Sequence, residues 1–235
     1  KKKIKIIGDK SLSKRDFTRV TKPLKKFGAN IISNSGKLPI TITGTNNPKS
    51  IKFIENKGSA QCKSSVMLAA LNTKGTTKIK AKKSRNHTEL LLKYLNYPIK
   101  IKKGKIYDLI SIKGMHQFKS FDYKVPGDIS SASFFIVLAL LSKKSKLLIK
   151  SINLNPSRIG ILNILNKMNA KIKVVNKKKY NGEVIGDIQV KSIRKFKSIN
   201  CPDAYNSSAI DEFLLIFLVA ARAKGISYFK NLGEM

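Results

Sequence analysis

The strongest constraint on the fold is a pattern that occurs three times along the chain. Each copy has small or polar residues at a helix start, then an apolar helix, a basic turn and a short strand. The copies begin at Gly58, Gly127 and Ile210. The first two are separated by about 70 residues, a spacing that indicates one structural unit used repeatedly.

A second helix follows the first in these copies. Its apolar residues recur at spacings of three and four, which places them on one face. Such helices are predicted to open near Arg85 and Pro156, and an earlier one spans residues 15–27. Alternating strands follow each of them, so the predicted unit is βαβαββ and the predicted fold class is α/β.

The chain begins and ends within a unit. It opens on a helix of the second type and closes after a helix of the first type and its strand. We therefore expect an internal fragment with two complete units and a half unit at each end. Pro126 and Gly127, residues that interrupt helices and strands, lie near the middle of the sequence. They predict part of a first α/β domain at 1–124 and part of a second at 125–235.

The 235 residues carry a formal net charge of +35. All but six of the 48 basic residues are lysines, and they are spread over every segment. Abundant Lys, Ile and Asn together are typical of A/T-rich codon usage, which explains the charge without a polyanion. Dense positive charge is also a property of nucleic-acid-binding proteins, so that alternative stays open at this point.

Cysteine usage and hydropathy indicate the compartment. Cys62 and Cys201 are far apart and have no partner at ligand spacing, so we expect neither a disulfide framework nor a zinc site. No apolar stretch approaches the roughly 20 residues of a membrane-spanning helix. The basic start of the chain leads into Ile-Lys alternation, which is not a signal peptide. These features predict a soluble, cytoplasmic protein.

Polar residues at the predicted helix starts are the candidate functional groups. Residues 59–61 stand at one start and Ser84 and Arg85 at another, where backbone N–H groups and the helix dipole favour an anion. Asp211 stands at a third, where a carboxylate either complements the dipole or acts as a general base. Simple helix capping explains the same residues, so spacing alone leaves both interpretations open.

Six motifs in order along the chain resemble the enolpyruvylshikimate-phosphate synthase family. They are Gly8-Asp9-Lys10-Ser11-Leu12-Ser13-Lys14-Arg15, Gly58-Ser59-Ala60-Gln61-Cys62-Lys63-Ser64, Ser84-Arg85-Asn86-His87-Thr88-Glu89, VPGDISSAS at 125–133, Asn155-Pro156-Ser157-Arg158 and Ile210-Asp211-Glu212. The resemblance covers essentially the whole chain. It implies the enolpyruvyl-transferase inside-out α/β barrel, with two domains of three βαβαββ units each and substrates held between them.

The resemblance also implies an activity and its residues. The enolpyruvyl group of phosphoenolpyruvate would pass to the 5-hydroxyl of shikimate 3-phosphate with release of phosphate, a step toward chorismate and the aromatic amino acids. The implied shikimate phosphate ligands are Ser59, Ala60, Gln61, Ser84 and Arg85, with Gln61 touching both substrates. Arg15 would bind phosphoenolpyruvate and Asp211 would be the catalytic base. No cofactor, metal, nucleic acid or membrane is expected, and the protein should be a monomer.

Some positions depart from the family pattern. Asp16 replaces the usual proline after Arg15, and Asn86 replaces an acid. The general acid and most phosphoenolpyruvate ligands are expected outside this chain, so the fragment alone should be inactive. The transferase acting on UDP-N-acetylglucosamine is an alternative, although Lys10 stands where its reactive cysteine usually lies. An RNA-phosphate cyclase is disfavoured because its catalytic histidine motif is missing.

Overall fold

The computed structural model describes residues 2–233, and the chain divides into two compact units between Ser120 and Phe121. The division falls a few residues before the boundary predicted from the sequence. The predicted domain bounds, 1–124 and 125–235, remain predictions. Among the described residues, no helix is long and apolar enough to cross a membrane.

The first unit opens with the later half of a βαβαββ repeat. Its elements are β1 (Lys3–Ile6), α1 (Thr18–Lys26), β2 (Asn30–Asn34) and β3 (Lys37–Thr43), and the sheet order is β1-β3-β2. Both pairings are antiparallel. The helix begins at Thr18 and not at Arg15, so the predicted start was too early. The carboxylate of Asp16 accepts hydrogen bonds from the Thr18 backbone N–H and hydroxyl, which fixes a turn ahead of the helix.

A complete βαβαββ repeat follows in the same unit. It consists of β4 (Lys52–Glu55), α2 (Ala60–Leu71), β5 (Thr76–Lys82), α3 (His87–Tyr94), β6 (Ile99–Lys102) and β7 (Tyr107–Lys113). The sheet order is β4-β5-β7-β6, with β4 and β5 parallel and the other pairs antiparallel. Thr77, Ile79 and Ala81 of β5 are buried, while the lysines between them face solvent. This alternation buries one face of the sheet against Val66 and Met67 of α2.

The second unit repeats the arrangement. It contains α4 (Ile129–Leu141), β8 (Lys146–Asn153), α5 (Gly160–Lys167), β9 (Lys171–Tyr180) and β10 (Glu183–Lys191), with sheet order β8-β10-β9. Gly127 pairs in parallel with Ile152 through a single bridge, at the position of the first strand of the repeat. A further half repeat comprises β11 (Phe196–Lys197), α6 (Phe213–Ala220) and β12 (Ala223–Lys224), with β11 parallel to β12. The predicted βαβαββ repeat is confirmed.

The three helices α4, α5 and α6 share the core of the second unit. Ile136, Ile161, Leu165 and Ile216 are fully buried there. The helix α6 is apolar around its whole circumference, and α4 is apolar from Phe134 onward, so burial of one face leaves another uncovered. On α4 the uncovered face includes Phe134, Phe135 and Leu138, exposed at 64%, 60% and 63%. On α6 it includes Leu214 and Leu218.

Candidate active site

The start of α2 is built around Ser59. Its hydroxyl accepts a hydrogen bond from the Cys62 backbone N–H at 3.3 Å, so Ser59 is the N-cap. The preceding turn is held by Glu55, whose carboxylate accepts from the Lys57 and Gly58 N–H groups at 2.9 and 2.8 Å. Gly58 has φ +73°, a conformation that favours glycine. The first-turn N–H groups of a helix lack acceptors within the helix, so this start is suited to an anion.

The start of α3 lies beside the start of α2. Lys63 of α2 donates to the carbonyl oxygen of Arg85 at 2.9 Å and forms an ion pair with Glu89 of α3 at 2.6 Å. The hydroxyls of Ser64 and Thr88 are hydrogen-bonded at 2.7 Å. A Cβ added to Gly58 would lie 3.5 Å from the carbonyl oxygen of Lys83. The structure therefore brings residues 59–61 together with Ser84 and Arg85.

The hydroxyl of Ser84 is buried and has no hydrogen-bond partner among residues 2–233. A buried hydroxyl without a partner costs free energy, and natural proteins leave few of them. This one belongs to a predicted ligand of shikimate phosphate. Its unused hydrogen-bonding capacity lies just before α3, beside the start of α2.

Arg15 lines a basic pocket of about 560 Å3 in the same unit. The pocket residues are Arg15, Asp16, Thr18, Arg19, Lys22 and Lys57. Lys57 is two residues before Ser59, so the pocket adjoins the start of α2. The hydrogen bonds from the Thr18 N–H and hydroxyl hold the pKa of Asp16 below its ordinary value, with nearby lysines lowering it further. The pocket thus pairs four cations with one ionised acid, a charge balance that favours an anionic ligand.

Asp211 lies in the second unit, in a 3-10 turn, Ile210–Glu212, directly before α6. Its Oδ2 is 3.4 Å from Nη1 of Arg158. The other terminal nitrogen of Arg158 donates to Oδ1 of Asp128 at 2.8 Å and to the hydroxyl of Ser130 at 2.6 Å. The Ser130 hydroxyl in turn contacts the buried carboxylate of Glu212. Sequence reasoning placed Asp211 but missed this polar cluster around it.

A signal for the cluster was present in the sequence. Arg158 is one of six arginines in a lysine-rich chain, and a planar guanidinium is the cation suited to two carboxylates at once. It also ends the motif Asn155-Pro156-Ser157-Arg158. Residues 2–233 contain no group of three or more His, Cys, Asp or Glu arranged to hold a metal ion.

Comparisons with known proteins identify the family. The family model for EPSP synthase (3-phosphoshikimate 1-carboxyvinyltransferase) matches residues 1–235. A 3-phosphoshikimate 1-carboxyvinyltransferase of Ruthia magnifica is 41% identical over 231 residues, which is 98% of this chain and 52% of that protein. One from Petrotoga mobilis is 41% identical over 234 residues, again 98% of this chain and 53% of that protein. The chain thus spans about half the length of the curated relatives it matches.

Solved structures agree on the fold. The EPSP synthase of Acinetobacter baumannii superimposes with a TM-score of 0.81 at 36% identity, over 95% of this chain and 50% of that one. The enolpyruvyl transferase NikO of Streptomyces tendae gives a TM-score of 0.68 at 14% identity, over 91% and 51%, which supports the fold alone. The predicted enolpyruvyl-transferase fold class is confirmed. The chain belongs to the EPSP synthase family.

Proposed function

We propose that the protein containing this chain transfers the enolpyruvyl group of phosphoenolpyruvate to the 5-hydroxyl of shikimate 3-phosphate and releases phosphate. The observation that carries the proposal is the pairing of two helix starts, residues 59–61 with Ser84 and Arg85, one of which carries a buried hydroxyl without a hydrogen-bond partner among the described residues. The relatives named 3-phosphoshikimate 1-carboxyvinyltransferase support it. They do not favour the UDP-N-acetylglucosamine and nucleic-acid-binding alternatives.

The proposed binding roles follow from the chemistry of the two substrates, each of which carries a phosphate and a carboxylate. Ser59, Ala60 and Gln61 would hold shikimate phosphate with helix N–H groups and short polar side chains. Ser84 and Arg85 would also bind shikimate phosphate, and Gln61 would contact both substrates. Arg15 would bind phosphoenolpyruvate with its planar guanidinium, which suits carboxylate and phosphate groups.

The proposed reaction is an addition followed by an elimination. The 5-hydroxyl oxygen bonds to the central carbon of phosphoenolpyruvate, its proton passes to Asp211, and the methylene carbon gains a proton. The bond to the phosphate oxygen then breaks, phosphate leaves, and the new methyl group loses a proton to restore the double bond. Asp211 suits the base role because its side chain is 47% exposed at a helix start and therefore accessible.

We also propose a cellular compartment, an oligomeric state and a set of partners. The protein would act as a cytoplasmic monomer on two small anions, without a nucleic acid or a membrane as partner. Its high charge would reflect lysine usage, because lysines occur in every segment of the sequence, including the exposed face of β5.

The test is phosphate release by the full-length natural polypeptide that contains this sequence. Release should require both phosphoenolpyruvate and shikimate 3-phosphate. Asp211→Asn should lower turnover by roughly 10²–10⁴, the contribution typical of a positioned proton-transfer group, with a smaller change in KM. The matched control is Asp122→Asn, which removes an exposed carboxylate of the same unit. Release that needs UDP-N-acetylglucosamine, or none at all, would contradict the proposal.

A further inference from the structure

We infer that Arg158 is a positioning residue, which fixes the orientation of the Asp211 carboxylate by tying it to the start of α4. The inference rests on the proposed function, because it assigns Asp211 the role of base. Arg158 itself is not assigned a contact with substrate. Its proposed effect on the reaction passes through Asp211.

The guanidinium of Arg158 joins three helix starts that are far apart in sequence. Arg158 precedes α5, Asp128 caps α4, and Asp211 precedes α6. Each terminal nitrogen of the guanidinium contacts one carboxylate: Nη2 lies 2.8 Å from Oδ1 of Asp128, and Nη1 lies 3.4 Å from Oδ2 of Asp211. A lysine ammonium is a single point and cannot present two separated donors in a fixed plane. This requirement explains an arginine here in a chain whose cations are mostly lysines.

The side chain of Arg158 is less exposed than those of the two aspartates that it contacts. Its side chain is 14% exposed, whereas those of Asp128 and Asp211 are 51% and 47% exposed. Its backbone N–H donates to the Asn155 carbonyl oxygen at 2.8 Å. A largely buried cation that contacts both carboxylates restricts the accessible carboxylate of Asp211 without covering it.

The α4 side of the cluster is also fixed. Asp128 accepts from the Ser131 N–H at 3.0 Å and from its hydroxyl at 3.1 Å. Ser130 links Arg158 to Glu212, the residue next to Asp211. Both acids of the Asp-Glu pair are therefore connected to one helix start. Such a shell restricts a reactive side chain to a small range of positions, which catalysis by proton transfer requires.

The experiment is a double-mutant cycle in the full-length natural polypeptide. Arg158→Gln should lower kcat by about 10²-fold, the loss that a misplacement of about 1 Å brings, with little change in either KM. In an Asp211→Asn background the same change should cost almost nothing more, because the group it positions is already gone. Arg194→Gln, which removes an exposed arginine of the same unit, is the control and should leave kcat unchanged.

Two further measurements separate positioning from misfolding and from a wrong function. Arg158→Lys keeps the charge and most of the packing, and kcat should remain well below wild type. The ¹³C signal of the Asp211 carboxylate, assigned by its loss in Asp211→Asn, should move in Arg158→Gln and stay in Arg194→Gln. That signal tests the contact even if the wild type shows no transfer activity, an outcome that would contradict only the proposed function.

Three results would overturn the inference. One is a kcat loss in Arg158→Gln that adds fully to that of Asp211→Asn. Another is wild-type kcat in Arg158→Lys. The third is an Asp211 carboxylate signal that does not respond to Arg158→Gln.

Discussion

Nζ of Lys63 lies 2.6 Å from Oε1 of Glu89, and their side chains are only 4% and 5% exposed. The pair joins α2 to α3 and therefore joins the two helix starts of the proposed shikimate phosphate site. Oε2 of Glu89 has no hydrogen-bond partner among the described residues. The positive charge of Lys63 therefore offsets much of the cost of burying this carboxylate. Burying both charges is costly, and removing one of them leaves the other without that compensation.

Lys63→Met should accordingly lower the free energy of unfolding by about 3–5 kcal/mol, the usual loss when one partner of a buried pair is removed. The double variant Lys63→Met/Glu89→Leu should recover most of that loss, because no uncompensated charge remains. Urea unfolding followed by circular dichroism measures both. Lys93→Met, which removes an exposed lysine of α3, is the control. A double variant as unstable as the single one would refute the explanation.

The lowered pKa of Asp128 predicts that the stability of the fold depends on pH. Burial raises the pKa of its carboxyl, but the Ser131 N–H and the charge of Arg158 outweigh this and hold the pKa below the ordinary 3.8. The ionised group therefore stabilises the fold above pH 3.8, and this contribution is lost as the pH falls through the lower, folded-state pKa. Asp128→Asn keeps a capping side chain and removes only the charge.

The unfolding free energies of wild type and Asp128→Asn should therefore differ by a constant amount near neutral pH and converge below pH 3.8. Asp128→Ala also loses the cap, and should cost about 0.5–2 kcal/mol at neutral pH. Urea unfolding at a series of pH values measures both differences. A gap between wild type and Asp128→Asn that widens as the pH falls would show that the charge does not act this way.

Gly160 at the start of α5 should not tolerate a side chain. A Cβ there would lie 2.7 Å from the Ser208 carbonyl carbon and 2.8 Å from Cβ of Ala209, two residues before Asp211. Gly160→Ala should lower the free energy of unfolding by about 1–3 kcal/mol through overpacking. Gly44→Ala is the control, because nothing lies within 4 Å of its added Cβ. Equal stability of the two variants would mean that the close approach does not constrain α5.

Limited proteolysis tests the division of the chain. Residues 114–126 contain no helix or strand, and Lys119 is exposed within them. Lys124 is in the same segment, but its N–H donates to the Tyr180 hydroxyl at 2.9 Å. Residues 114–126 are the longest described stretch without helix or strand, and exposed backbone of this kind is the preferred substrate of proteases, so trypsin should cut first after Lys119. Mass spectrometry locates the cut. First cuts within the lysine-rich strand β9 would contradict the proposed division.

The repeat was predictable from sequence because its signals are local. Small residues before an apolar run predict the start of α2, and Ser59 does cap that helix. The predicted start of α1 was wrong because the Asp16 carboxylate accepts a hydrogen bond from the Thr18 N–H, so the helix begins at Thr18. The apolar spacing of the sequence does not reveal such a short-range hydrogen bond.

The polar connections were harder to predict. Lys63 is one lysine among more than forty, and nothing in the sequence distinguishes the buried one from those in solvent. Arg158 meets Asp128 and Asp211 across separations of 30 and 53 positions, so only the packing of three helix starts brings them together. Long-range side-chain geometry of this kind depends on the completed fold.

The uncovered apolar face of α4 affects how copies of this 235-residue chain behave toward one another. Phe134, Phe135 and Leu138 form a patch that attracts similar patches. The net charge of +35 opposes such encounters, because like-charged molecules repel over a distance that shrinks to about 8 Å at physiological salt. We therefore expect the colloidal stability of the chain to depend on ionic strength: dilute buffer should keep the copies dispersed, and added salt should promote self-association through α4.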